Sequence, residues 1–300
     1  MTDLRTGVIG LGAMGAPMAR HLSAKGFLQG VWNRTESKAE QLAAELDTWH
    51  AESPAALAQK CDVLLVCVSR DQDLESVMEQ SLPGLRAGSV VLDTSTVSPS
   101  TTVALAGVLA GKGVDYVDAP VSGGVEGAIN GRLVAMVGAE LSVFSRVQPV
   151  IAAFSAAVTH MGPVGSGQAT KAVNQVIVCG VAEAVCEALA LGEKLNLPRE
   201  RLLSVLSSGA ADGWFLRHRG LSMLEGRFEK GFKQSLLLKD LEIVKTLARE
   251  LGIRMPVVEH AAVDYATLVA AGEGDNDISG LFRLKGSAQG QGNSGGEHTA

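Results

Sequence analysis

From residue 5 to residue 162, short apolar runs alternate with amphipathic stretches. The runs TGVIGLG (6–12), QGVWNR (29–34), CDVLLVCVS (61–69), SVVLDTS (89–95), DYVDAPVS (115–122), RLVAMVGA (132–139) and AAVTHMG (156–162) predict strands. The stretches between them, from AMGAPMARHLSAKG (13–26) to ELSVFSRVQPVIAAF (140–154), predict helices. Runs such as VLLV show no polar alternation, so their strands are buried on both faces. That pattern specifies a doubly wound, mainly parallel α/β sheet with helices on either side. After Gly167 the strand signal stops. QATKAVNQVIVCGVAEAVCEALALGEKLN (168–196) reads as one long interdomain helix, and four shorter helical patterns follow up to Gly272. The expected organisation is an α/β domain over 1–163 and an all-α domain over 164–286. A Gly/Ser/Gln-rich flexible tail covers 287–300.

Composition narrows the functions. The chain has 300 residues, 46% of them hydrophobic, enough for two cores. A net charge of -6 disfavours nucleic-acid and anionic-membrane partners. The longest apolar helix is interrupted by Glu183 and Glu187, so no membrane span is expected. No basic region followed by an apolar signal segment opens the chain, and a cytoplasmic location is expected. Cys61, Cys67, Cys179 and Cys186 form no CxxC pair or metal-like spacing with histidine, so free thiols and no metal are expected.

Gly10, Leu11, Gly12, Ala13, Met14 and Gly15 form a GxGxxG turn between the first strand and the first helix. The first glycine permits the turn, the second lets backbone approach a pyrophosphate, and the third lets helix and strand pack closely. The helix start then offers N–H groups to phosphates. The second strand ends in Asn33, Arg34 and Thr35, where an NAD-binding turn carries an acid. A guanidinium there suits the 2′-phosphate of NADP, with NAD as the other possibility if Glu36 takes the ribose. Thr35 also stands where a residue would cap the next helix. Ser122, Gly123 and Gly124 follow the strand DYVDAPV, where N–H groups and a hydroxyl suit a carboxylate. Lys171 is the single charged residue between Arg146 and Glu183. Either it snorkels from its helix or the fold keeps it in a pocket for a purpose.

GLGAMGAPMARHL (10–22), DAPVSGGVEGAINGRLVAMVG (118–138), GSGQATKAVNQ (165–175) and KDL (239–241) occur in this order. Together they resemble the β-hydroxyacid dehydrogenase family over nearly the whole chain. The resemblance implies a Rossmann-fold first domain and reversible hydride transfer between a short 3-hydroxy acid and NADP or NAD. It makes Lys171 the catalytic acid/base, with Asn174 or Gln175 on the substrate hydroxyl. It gives the carboxylate to Ser122, Gly123 and Gly124. Val68, Ser69, Ser95 and Thr96 are implied as cofactor contacts near the nicotinamide ribose, and Lys239 as lying over the cofactor. Burial among small apolar neighbours is expected to lower the pKa of the lysine.

Trp214 and Phe232 fall where the family shapes its substrate pocket, and Arg217 or Arg219 offers a site for a second acidic group. Arg132 stands where relatives carry a small polar residue and receives no role. Relatives imply a homodimer or homotetramer built through the helical half. An imine-reductase-like enzyme is disfavoured by Lys171, because such enzymes commonly carry Asp or Tyr there. A non-catalytic NADP-binding scaffold is disfavoured by the joint presence of Lys171, the SGG segment and KDL.

Overall fold

The computed structural model describes residues 4–228 and 231–286, so the expected tail at 287–300 lies outside the described residues. The chain forms two compact units. The first comprises the described chain up to Gln175 together with Asp240–Leu251, and the second comprises Val176–Lys239 and the described chain from Gly252 onward.

In the first unit, strands β1 (Thr6–Ile9), β2 (Leu28–Trp32), β3 (Trp49–His50), β4 (Val63–Val66), β5 (Val90–Asp93), β6 (Asp115–Asp118), β7 (Val121–Ser122), β8 (Leu133–Gly138) and β9 (Ser155–Gly162) make one sheet. Helices α1 (Gly15–Ala24), α2 (Glu36–Glu45), α3 (Pro54–Lys60), α4 (Asp71–Ser81), α5 (Pro99–Ala110), α6 (Gly124–Ile129) and α7 (Leu141–Ala152) connect them. The strand order is β3-β2-β1-β4-β5-β6-β8-β7, with β9 paired to β8. β1 to β6 pair in parallel, whereas β8 runs antiparallel to β6 and β7. The sequence pattern gives no warning of that reversal, because β8 is as apolar as its parallel neighbours. The two-residue strand β7 and the short helix α6 turn the chain around within it.

The period-two placement of side chains divides the core. Val8, Leu65, Leu92 and Val117 face one cluster, and Ile9, Leu64, Val66, Val91 and Tyr116 face the other. Register aligns the strand ends: Ile9 pairs with Val66, Val66 with Asp93, and Asp93 with Asp118. The loops after β1, β4, β5 and β6 therefore emerge along one sheet edge, where open α/β sheets bind ligands.

The second unit is helical: α8 (Ser166–Lys194) beyond Gln175, α9 (Arg199–Leu206), α10 (Trp214–Leu224), the start of α11 (Gln234–Leu251), α12 (Pro256–Ala270), a 3₁₀ turn at Ile278–Gly280, and α13 (Leu281–Gly286). Its core face on α8 is Cys179, Ala182, Cys186 and Leu189, at helical spacing. Tyr265 is fully buried and its hydroxyl donates to the Ile278 carbonyl at 3.0 Å. Lys285 on α13 sends its amine to Glu183 (2.6 Å), Asp264 (2.6 Å) and Glu187 (3.2 Å).

One expectation changes here, at the long helix. α8 is one unbroken helix of 29 residues. At 1.5 Å per residue it is about 44 Å long, and its first ten residues group with the sheet. α8 also is long and apolar enough to cross a membrane, with a mean hydropathy of 1.7. Glu183 and Glu187 are too few to break that signal, and 44% of the apolar window is buried inside the protein.

Candidate active site

The glycine loop separates into two jobs. Gly10 has φ +90°, and a Cβ there would meet the Cys67 carbonyl oxygen at 2.1 Å. At Gly15, the first residue of α1, a Cβ would lie 1.9 Å from the Gly10 oxygen. Those two are demanded by packing. At exposed Gly12 a Cβ would meet nothing within 4 Å, so the space beside this backbone suits a ligand rather than a packing neighbour. Met14 at the start of α1 makes no side-chain cap bond, which suits N–H groups that take phosphate. The loop thus fits a dinucleotide's pyrophosphate.

Asn33 shapes this loop. Its Oδ1 accepts from Leu11 N at 2.9 Å, and its Nδ2 donates to the Thr35 carbonyl at 3.0 Å. Thr35 is the N-cap residue of α2 but makes no side-chain cap bond. Arg34 is 86% exposed and pairs with Asp73 on α4 at 3.1 Å.

After β4 and β5 the loops brace each other. Val68 N donates to Ser95 Oγ at 2.9 Å, and Ser95 N donates to Asp93 Oδ1 at 2.9 Å. The Tyr116 hydroxyl donates to Asp93 Oδ2 at 3.0 Å. Ser95 is buried, so its hydroxyl serves the Val68 loop, whereas Ser69 is exposed and Thr96 half-buried. Burial pushes the Asp93 carboxyl up to about 7, against the hydrogen bonds from Ser95 and Tyr116.

Lys171 lies in the second turn of α8 and is only 7% exposed. Its amine donates to the Val121 carbonyl at 2.9 Å, which resolves the sequence-level alternative in favour of a buried amine. The next residues are half-buried Ser122, then Gly123 and Gly124 with φ of +125° and +63°, conformations that favour glycine. Asn174 Nδ2 donates to Gln175 Oε1 at 2.8 Å, and Gln175 Nε2 donates to Asp240 Oδ2 at 2.6 Å. Gln175 is buried and Asn174 half-buried. The first unit therefore brings Lys171, Asn174, Gln175 and the SGG segment into one constellation.

Sequence reasoning missed two residues here. Asp118, at the end of β6, accepts from Gly165 N and Gln168 N, each at 2.8 Å. Burial pushes its carboxyl upward, while those backbone bonds pull the other way. Gln168 Nε2 donates to the Ser95 carbonyl at 2.8 Å, and its Oε1 accepts from Val97 N at 3.3 Å. Both sit inside the motifs at 118–138 and 165–175, yet their partners lie far along the chain and leave no local signal.

The remaining expected residues belong to the second unit. Trp214 opens α10 with its ring stacked on His218 at 4.4 Å. Phe232 N donates to Asp277 Oδ2 at 2.9 Å, and Lys239 is half-buried on α11. The arginines do not stand ready for a second acid. Arg217 forks onto Asp212 at 2.6 and 2.7 Å, and Arg219 faces buried Asp277 at 3.5 Å. Arg132 is exposed.

The chain is similar to known proteins over nearly its whole length. Residues 5–162 match the family model described as the NAD binding domain of 6-phosphogluconate dehydrogenase. Residues 165–285 match the model described as NAD-binding of NADP-dependent 3-hydroxyisobutyrate dehydrogenase. The chain is 33% identical to 2-(hydroxymethyl)glutarate dehydrogenase of Eubacterium barkeri, over 94% of this chain and 95% of the relative. It is also 33% identical to 2-hydroxy-3-oxopropionate reductase of Escherichia coli, over 93% and 96%. Among solved structures, Mycobacterium tuberculosis 3-hydroxyisobutyrate dehydrogenase with L-serine matches at a TM-score of 0.85 and 27% identity, covering 94% of this chain and 99% of that one. The glycine loop, the sheet edge and the two matched models agree: this chain belongs to the β-hydroxyacid dehydrogenase family of NAD(P)-dependent oxidoreductases.

Proposed function

We propose that this chain interconverts a short-chain 3-hydroxy acid and its semialdehyde, or reduces a small carboxylate-bearing aldehyde such as glyoxylate or succinic semialdehyde. Lys171 is the general acid/base and NADP(H) the preferred cofactor. The observation that carries this reading is the buried Lys171 amine, bonded at 2.9 Å to Val121, the residue just before Ser122, Gly123 and Gly124. A substrate carboxylate on that segment brings its hydroxyl-bearing carbon within reach of the amine. When bound, the nicotinamide supplies hydride acceptance and donation. Lys171 takes the hydroxyl proton during oxidation and returns one to the carbonyl oxygen during reduction. Asn174, held by Gln175, orients the hydroxyl.

The cofactor preference rests on Arg34, which is exposed just after β2, where Asn33 rather than an acid follows Trp32 directly. A homodimer or homotetramer is proposed from the exposed stripe Val173, Ile177 and Val181 on α8. Light scattering checks it, with a monomer as the contrary result.

The test of function is kcat/KM with NADPH and NADH for glyoxylate, succinic, tartronate and methylmalonate semialdehydes, beside aldehydes lacking a carboxylate. Turnover of a carboxylate-bearing member, favouring NADPH, supports the reading. Reduction of imines alone, or indifference to the carboxylate, would overturn it.

A further inference from the structure

The first turn of α8 is seated without clearance. A Cβ on Gly138 would lie 2.4 Å from Asp118 Oδ1 and 2.8 Å from Gly167 N. A Cβ on Gly167 would lie 2.4 Å from the Met136 oxygen and 2.7 Å from the Asp118 oxygen. The helix start therefore rests directly on the ends of β6 and β8. Asp118, fully buried, grips this turn through Gly165 N and Gln168 N. A carboxylate at a helix N-terminus is favoured both by the orphan donors and by the helix dipole.

Gln168 grips the same turn from another side. It is 1% exposed, and its amide bonds both the Ser95 carbonyl and Val97 N. Ser95 in turn holds Val68 N. Lys171 follows Gln168 by three residues, so the two lie on one helix face. The amine of Lys171 then returns to Val121, three residues after Asp118. One helical turn is thus tied to the segment that holds the amine and to the loops after β4 and β5.

We propose that Gln168 and Asp118 are positioning residues for Lys171, fixing its amine against the SGG segment and against the Val68 and Ser95 loops. The proposal rests on the reading of Lys171 as the acid/base. A positioning bond matters to rate because small displacements of a reacting group are expensive, about a hundredfold for roughly 1 Å. Asp118 sets where the helix starts. Gln168 sets its rotation, because its two bonds run to the loop after β5, whereas those of Asp118 come from the end of β6.

The test is a double-mutant cycle of Gln168→Met and Lys171→Ala, with kcat measured per cofactor-binding site across pH. Methionine keeps the length of the side chain and removes both bonds. Gln168→Met should lower kcat about tenfold to a hundredfold in the otherwise native enzyme. In the Lys171→Ala background it should cost less than about twofold, because coupled residues do not add. NADPH affinity should stay near the native value, and the pH limb of kcat that disappears in Lys171→Ala should move in Gln168→Met. If Gln168→Met does not fold, Gln168→Asn, which cannot span both partners, reads the same way. Asp118→Asn keeps one of two acceptor oxygens and should show a smaller loss with the same coupling. Equal losses in both Lys171 backgrounds, or an unchanged kcat and pH profile in Gln168→Met, overturn the positioning role. Native turnover in Lys171→Ala instead overturns the underlying assignment of Lys171.

Discussion

Lys171 and Lys285 are both largely withdrawn from solvent, 7% and 12% exposed, but they keep different company. The Lys285 amine meets Glu183, Asp264 and Glu187. Burial works against its charge, but the bonds to Asp264 and Glu183 hold it well above the ordinary lysine range. An amine so surrounded keeps its proton at every physiological pH and acts as a tie between α13, α8 and α12. The Lys171 amine donates to an uncharged carbonyl, that of Val121. That bond fixes the amine beside the segment Ser122, Gly123 and Gly124. Burial alone therefore does not mark a catalytic lysine; the proposed acid/base role of Lys171 rests on its place beside the SGG segment.

The largest effect expected from this contrast is on stability. Lys285→Met leaves buried Glu183 and half-buried Asp264 without their cation, and should cost about 3 kcal/mol in denaturant unfolding. Per active site, kcat should stay within about twofold. A Lys285→Met enzyme as stable as the native one would show that the carboxylates do not need the amine.

Asp93 extends the comparison to a buried acid among neutral donors. Folded, its carboxyl keeps a proton up to about pH 7. Unfolded, an aspartate loses it near about 4. Between those values the folded state holds the extra proton, so stability should fall as pH rises from about 4 to 7, by at most about 1.4 kcal/mol per pH unit. Asp93→Asn should flatten that slope in urea melts taken across this range. An equal slope in both proteins would remove Asp93 from the account.

Arg34 lies at the exposed extreme, where a lone ion pair contributes little. Its pairing with Asp73 should therefore yield readily to a phosphate. Arg34→Ala should reduce kcat/KM for NADPH about tenfold to a hundredfold, in the range of a charge-assisted hydrogen bond, and leave NADH nearly unchanged. Equal losses with both cofactors would indicate a loop defect instead.

Legibility in the sequence followed the range of the interactions. The buried strands, the glycine turn and the helical half were readable because each is encoded by neighbours within a few residues. Lys171 stood out for the same reason, as one charge in an apolar run. The antiparallel reversal at β8 was not readable, because strand direction depends on a pairing partner. Asp118 and Gln168 escaped because their bonds span 47 to 73 residues. The pairing of Arg217 with Asp212, only five residues away, is a local contact that the apolar helix pattern does not announce. Ser95 was correctly placed at the sheet edge, but no sequence pattern says that its hydroxyl turns inward onto Val68 N.

The central claim is that the Lys171 amine moves the proton. Its most direct measurement is single-turnover hydride transfer in Lys171→Ala, with NADPH and a carboxylate-bearing aldehyde at saturation. The account predicts native cofactor affinity and unfolding midpoint with a transfer rate lowered at least ~10²-fold, the scale of general acid–base catalysis. Transfer at the native rate would contradict it.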